Sequence, residues 1–236
     1  MTARQIVLDT ETTGLSARLG DRVIEIGCIE LLSRNVTERR FHSYLNPERE
    51  IDEGAARVHG LTLEFLADKP KFADISKAFV EYISGAELII HNAAFDVEFL
   101  DQELSLGGMK KLSDYTPSII DTLAMARELH PGKRNSLDAL CERYAVNNSH
   151  RTLHGALLDA RLLAEVYLAL TRGQESLVMD LAEPSAAQTA AALVDAKKLT
   201  VLRATGEEVK EHEKILDAID KAAANHGGSL WRKLAG

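Results

Sequence analysis

Apolar residues in this chain come in short runs and in two different periods. Ile6, Val7 and Leu8 stand together between polar neighbours, the mark of a buried strand over 5–9. Residues 22–32 alternate, with Val23, Glu25, Gly27 and Ile29 on one face and Ile24, Ile26 and Cys28 on the other. Residues 37–45 read as a third strand. From Phe72 the period changes: Phe72, Ile75, Phe79, Tyr82 and Ile83 recur at helical spacing. A short apolar strand over 87–91 follows, and Asn92 can cap a helix carrying Phe95, Phe99 and Leu104. A brief strand over 118–121 leads into a helix over 121–130. Asn135 or Ser136 starts another helix, and 155–170 makes a long last one. Early hairpins followed by alternating helix and strand predict an α/β domain with a mixed sheet flanked by helices.

The aromatic residues then set a boundary. All six Phe and all five Tyr lie between Phe41 and Tyr167, and only Trp231 follows. Large rings dominate core burial, so the main core ends near residue 171. Six of the eleven residues from Ala182 to Ala192 are alanine, among Pro184, Ser185, Gln188 and Thr189, which gives little to bury. The expected division is a domain at 1–172, a junction at 173–181, a flexible linker at 182–198 and a short tail at 199–236. In the tail, Leu199–Leu202 is strand-like and Thr205-Gly206-Glu207-Glu208 has the form of a capping box. Val209, His212, Leu216, Ile219 and Ala223 make one helical stripe, stopped by Gly227-Gly228. A lone amphipathic helix cannot bury its own apolar face, so the tail is expected to dock on a partner with Trp231 as anchor.

Composition excludes whole classes. With 45% hydrophobic and 27% charged residues, the chain is neither collagen-like nor wholly disordered. Cys28 and Cys141 are the only cysteines, without CxxC or zinc-type spacing, and read as free thiols in a reducing compartment. No apolar run approaches the ~18–20 residues of a membrane span, and the N-terminus shows no signal pattern. A soluble, cytoplasmic protein is expected. The net charge of −8 weighs against binding nucleic acid through a basic surface.

Three motifs carry candidate chemistry. In Asp9-Thr10-Glu11-Thr12-Thr13-Gly14-Leu15, residues two apart on a strand point the same way. Asp9 and Glu11 therefore set two carboxylates side by side at the end of a buried strand, a costly pairing unless a cation or proton neutralises it. Hard cations such as Mg²⁺ take such oxygens. An exposed turn after an edge strand is the alternative reading. In His91-Asn92-Ala93-Ala94-Phe95-Asp96, Asp96 falls in the first turn of a helix, where the helix dipole alone could favour it. In His154-Gly155-Ala156-Leu157-Leu158-Asp159, Asp159 opens the last helix on the side away from its most apolar face. His154 sits on the loop before it, free to swing.

Taken together and in order, Asp9-x-Glu11, Asp96 and His154-x4-Asp159 resemble the DEDD exonucleases of the ribonuclease H-like fold, in the subgroup with a histidine before the last Asp. The likeness covers residues 4–171. It implies 3′-to-5′ hydrolysis of a nucleic acid end to nucleoside monophosphates with two divalent metal ions, Mg²⁺ or Mn²⁺. By resemblance, Asp9 bridges both ions, Asp96 and Asp159 complete their coordination, and Glu11 helps hold the nucleophile-side ion. His154 is implied as general base, a role suited to an imidazole at neutral pH. The same resemblance puts Thr12, Thr13 and Gly14 on the terminal nucleotide and Leu15 beside its base. His59, in Val58-His59-Gly60-Leu61-Thr62, matches a family loop near that nucleotide, and Asn92 and Phe95 line the pocket around Asp96. Lys133 and Arg134 could meet a phosphate.

The tail narrows the branch. Gln174-Glu175-Ser176-Leu177-Val178-Met179 resembles a short Gln-x-x-Leu peptide that docks on the bacterial sliding clamp, though without its usual aromatic end. The ending Gly227-Gly228-Ser229-Leu230-Trp231 resembles that of the proofreading branch, where the tail binds the polymerase alpha subunit. This implies Gln174, Leu177 and Trp231 as partner-binding residues; a further small accessory subunit is left open. Exoribonuclease branches (oligoribonuclease or ribonuclease T-like) remain the alternative, and a non-catalytic adaptor a second one, which the intact carboxylate set argues against. Two divalent ions would offset four acidic charges, so the net acidity fits a nucleic acid substrate delivered by a tether.

Overall fold

The computed structural model describes residues 4–149, 151, 153–172 and 204–222. Its contacts divide the chain into two units, Met1–Met179 and Asp180–Gly236. Gln174, Leu177, Trp231, the 173–181 junction, the 182–198 linker and Leu199–Leu202 lie outside the described residues.

In the first unit five strands form one mixed sheet in the order β3-β2-β1-β4-β5: β1 Arg4–Thr12, β2 Val23–Leu32, β3 Asn35–Tyr44, β4 Glu87–Ile90 and β5 Ile119–Asp121. The first three pair antiparallel, β2 and β3 through a tight Ser33-Arg34 turn with both residues at positive φ. β4 and β5 add in parallel, each after a helical crossover. The expected α/β mixed sheet flanked by helices is what the chain forms.

The alternation of β1 sorts the two layers. Ile6 and Leu8 face a core built with Phe72, Phe79 and Ile83 of α3 (Phe72–Ile83) and Phe99, Leu100 and Leu104 of α4 (Ala93–Leu106). Val7 faces the other core, with Leu140 and Cys141 of α6 (Leu137–Tyr144) and Ala160, Leu163 and Val166 of α7 (Ala156–Leu170). Phe72, Phe79 and Phe99 are fully buried, and each such side chain contributes about 1.5–3 kcal/mol by leaving water. α5 (Thr122–Leu129) lies between β5 and α6 in the chain.

Three details differ from the sequence expectation. First, β1 runs on to Thr12, so Asp9 and Glu11 lie within a strand rather than at its end. Second, a register shift between Glu11 and Thr12 pairs Glu11 with Glu25 but Thr12 with Val23. Val23 therefore leaves the face of Glu25 and Gly27 and joins the core of Ile26 and Cys28. Third, the segment around Val58–Thr62 is not simply a loop. α1 (Glu53–His59) ends at Gly60, whose φ of 71° suits glycine, and Thr62 caps α2 (Leu63–Leu66) by accepting from the Phe65 amide. Both helices are too short to show a helical period.

One glycine sets the closeness of the layers. Gly27 sits opposite Asp9 and faces α7. A Cβ there would collide with the backbone of Ala156 and Leu157, at the first turn of that helix. The missing side chain lets α7 rest its N-terminus on the sheet beside Asp9. In the second unit, α8 (Gly206–Ala222) begins with a closed capping box: the Thr205 amide donates to Glu208 at 2.7 Å, and the Glu208 amide to Thr205 Oγ1 at 3.3 Å. Its Val209, Ile215 and Ile219 are exposed.

Gly27→Ala should push α7 off the sheet and lower stability by about 1–3 kcal/mol, the usual cost of overpacking. Urea unfolding of the two proteins checks it, and equal midpoints would refute the close-approach reading.

Candidate active site

Strand parity and one uncovered backbone edge build the site. Asp9 and Glu11 share Val7's face of β1, the face on which α7 packs, so both point towards the helix that carries Asp159. On its other side β1 pairs with β4 only from Gln5 to Val7. Beyond that, the Thr10 amide has no strand to bond. It donates instead to Asp96 Oδ1 at 3.1 Å, and the Thr10 hydroxyl donates to the same oxygen at 2.7 Å. α4 thereby delivers Asp96 to the strand end from the opposite layer.

The turn into α4 is fixed as firmly. Asn92 holds φ 65°, and its amide donates to Asp121 Oδ1, which also accepts from the Leu123 and Ala124 amides to cap α5. The expected side-chain cap by Asn92 does not form. Its backbone turn does the positioning, and Asp121 is the capping side chain. Asp159 lies in the first turn of α7 and is buried, not on a solvated side of the helix. The helix is covered on several sides because it packs on β1, β2 and α6. His154 does precede the helix on a loop, half-exposed, with its amide held by the Val58 carbonyl at 3.1 Å.

Asp9, Glu11, Asp96 and Asp159 all line one cavity of about 580 Å³, with His154, Asn92 and Phe95. A second, more apolar cavity of about 470 Å³ adjoins it, lined by Glu11, Thr12, Gly14, Leu15, His59 and Phe95. Leu15 is 85% exposed. Thr13 is the exception among the expected substrate contacts. It is fully buried, its hydroxyl donating to Asp21 and accepting from the Arg22 amide, so it closes the loop instead of lining either cavity. His59 is buried and its Nδ1 accepts from the Leu61 amide, which leaves the ring proton on Nε2, an atom with no hydrogen-bond partner among the described residues.

Crowding shifts the carboxylates strongly. Burial, then the charges of Asp96, Glu11 and Asp159, raise Asp9 well above the ordinary aspartate range. Burial, then Asp159 and Glu25, push Glu11 up to about 8. Burial raises Asp96 to about 7 against the opposing bonds from Thr10. Groups held this way bind a proton or a cation. Ligand atoms of Glu11, His154 and Asp159 lie within 4.8 Å of one another, a spacing that could hold a metal ion.

Three participants were not picked out from the sequence. Glu25, buried opposite Glu11, is held by His42 Nε2 at 2.8 Å. Thr10 fixes Asp96. Arg151 holds Asp159 through both carboxylate oxygens, at 2.6 and 2.5 Å. Its place three residues before His154 was visible, but its direction depends on where α7 packs. Lys133 lines the carboxylate cavity, and with Arg134 and Arg143 a neighbouring shallow one.

Comparison with known proteins gives the family and the fold. A family model described as Exonuclease, of the RNase_T family, matches residues 6–167. The chain is 49% identical to DNA polymerase III subunit epsilon of Escherichia coli K12 over 97% of each chain. It is 48% identical to the subunit of that name from Rickettsia felis, over 93% of this chain and 98% of the relative. Among solved structures, exonuclease X in complex with 5′-overhanging duplex DNA is similar with a TM-score of 0.56 at 25% identity, covering 71% of this chain and 91% of its own. The zinc-bound complex of Escherichia coli exonuclease I with single-stranded DNA shares the fold, with a TM-score of 0.64 at 19% identity, over 74% of this chain and 42% of its own.

The raised carboxylates fix a sign for pH dependence. Unfolded, such groups lose their protons near about pH 4; folded, Glu11 and Asp96 keep them to about 8 and 7. Between these limits the folded chain binds more protons, so stability falls as pH rises. The melting midpoint in chelator should drop from about pH 5 to about pH 8, and Mg²⁺ should offset the drop most at the upper end. A flat profile in chelator would sink this account.

Proposed function

This chain belongs to the exonuclease family whose model spans residues 6–167, and on that premise we propose that it removes nucleotides from the 3′ ends of single-stranded or frayed DNA as the proofreading subunit of a bacterial replicative polymerase. The observation that carries the reading is the convergence of Asp9, Glu11, Asp96 and Asp159 on one cavity, with His154 at its side. The match to the replicative subunits over 97% of both chains, tail included, favours proofreading over an exoribonuclease role.

Asp9, Glu11, Asp96 and Asp159 would hold two divalent ions, Mg²⁺ or Mn²⁺. The donor set fits: hard oxygens, crowded enough that at least three of them sit above their ordinary pKa. When bound, such ions neutralise charge at the phosphodiester and polarise it towards in-line displacement. His154 takes a proton from the attacking water, and its loop, anchored to Val58, lets the ring move while its backbone stays. The apolar cavity beside Glu11 takes the terminal base against Leu15 and Phe95. His59 offers its unpartnered Nε2 proton to an acceptor on the nucleotide, which relieves a buried donor costing about 1–3 kcal/mol. Asn92 lines the neighbouring cavity, and Thr12 and Gly14 form the wall beside Leu15.

Outside the described residues, Gln174 and Leu177 are proposed to meet the sliding clamp and Trp231 the polymerase alpha subunit. The exposed apolar residues of α8 support a partner for the tail. A linker of the length read from the sequence would hold the two activities at an effective concentration of order mM, so that strong intrinsic DNA affinity is not needed.

On 3′-labelled single-stranded DNA with Mn²⁺, His154→Ala should lose about 10²–10⁴-fold in kcat while still binding Mn²⁺, and Asp9→Ala should be inactive. A near-wild-type rate for His154→Ala would remove it as the base. The full chain should co-purify with the polymerase alpha subunit, and a chain ending at Gly173 should not; retention by the short chain would overturn the tail assignment.

A further inference from the structure

The carboxylate cluster already holds a cation of its own. Arg151 donates from Nε to Asp159 Oδ1 at 2.6 Å and from Nη2 to Oδ2 at 2.5 Å. From Nη1 it donates to Asp138 Oδ1 at 2.5 Å, and from Nη2 to His154 Nδ1 at 2.9 Å. Its side chain is 6% exposed and that of Asp159 4%. Burial opposes its charge, but Asp159 and then Asp138 hold it protonated more firmly than an ordinary arginine.

Such a fork uses both oxygens of Asp159 at once. One Asp159 oxygen also lies within 4.8 Å of a ligand atom of Glu11 and of His154. A guanidinium and a divalent ion are both positively charged, so each weakens the hold of Asp159 on the other. We propose that Arg151 is an internal counter-cation that competes with the catalytic metal for Asp159 and is displaced from it when the site loads. This rests on the reading of the four carboxylates as metal ligands.

The chain's own geometry gives the exchange a path and a consequence. Asp138 grips the third guanidinium nitrogen and is half-exposed, so the displaced group stays tethered at the cavity rim. A guanidinium can only donate, so its bond to His154 occupies the Nδ1 lone pair. Displacement returns that lone pair to His154. Loading of metal and release of the base are then one event, and Arg151 acts as a positioning residue.

Isothermal titration of the full chain with Mn²⁺ tests the competition. Arg151→Gln should bind Mn²⁺ at least about tenfold more tightly than wild type, the worth of a ~1.4 kcal/mol competitor. Arg151→Lys, with a point charge in place of the fork, should fall between them. Metal-free Arg151→Gln should also melt lower and gain more from Mn²⁺. Affinity unchanged or weakened in a folded Arg151→Gln would overturn the proposal. If that variant does not fold, the wild type still decides: the ¹⁵N-labelled Arg151 Nε–H signal should shift and lose protection from solvent exchange as Mg²⁺ saturates the site. A signal indifferent to Mg²⁺ would overturn the proposal. Absence of Mn²⁺ binding by all three proteins would instead remove the metal-ligand reading beneath it.

Discussion

Asp9, Glu11, Asp96 and Asp159 repel one another inside a desolvated cavity, and the fold around them is arranged to withstand that repulsion. No single element could hold more than two of them together. β1 presents Asp9 and Glu11 towards α7, α7 closes on the sheet because Gly27 has no side chain, and α4 approaches from the other layer to set Asp96 on Thr10. Burial first, and for Asp9 and Glu11 the neighbouring charges after it, leaves Asp9, Glu11 and Asp96 shifted upward. The site thus stores a standing demand for positive charge, which protons, Arg151 or metal ions can each answer at a different pH and concentration.

Rigid supports lie just behind these groups. Arg22 grips the buried Glu103 of α4 through two bonds of 2.7 and 2.8 Å, and Glu103 also accepts from the Val23 amide, which ties α4 to β2. Asp121 gathers three amides to lock the Asn92 turn to α5. A functional constellation must hold to within about half an ångström, and such bonds supply that precision where a packed apolar face alone would let the helix slide. His154 is treated differently: its amide is pinned and its ring half-exposed.

What was legible in the sequence was local. The unbroken run Ile6–Leu8 gave a strand and the helical spacing over Phe72–Ile83 a helix, and the capping box at Thr205 and Glu208 is closed as its spacing implies. The acidic motifs could be read because each is short and contained in one local segment. What stayed hidden depends on contacts between distant segments. Arg151 reaches Asp159 only once α7 is seated, Glu25 meets Glu11 only through strand pairing, and Thr13 turns inward because Asp21 lies eight residues on in the same loop. Which side of α7 meets the carboxylates was hidden in the same way: the helix has several packed sides, and no single stripe in its sequence says which one faces them.

The bond from Thr10 to Asp96 has a further meaning for solubility. A strand that outruns its neighbour leaves a bare ladder of amides and carbonyls, the sort of rim on which foreign strands can assemble. Here a side-chain oxygen from a helix plugs the rim at the point where β4 stops. On the proposed function, position 96 answers to two masters, reaction chemistry and the closure of a sheet. An alanine there strips away both, whereas an asparagine keeps an oxygen to close the rim while surrendering the charge. An aggregating alanine variant and a soluble asparagine variant would then differ in the seal of the sheet, with the same loss of chemistry in each.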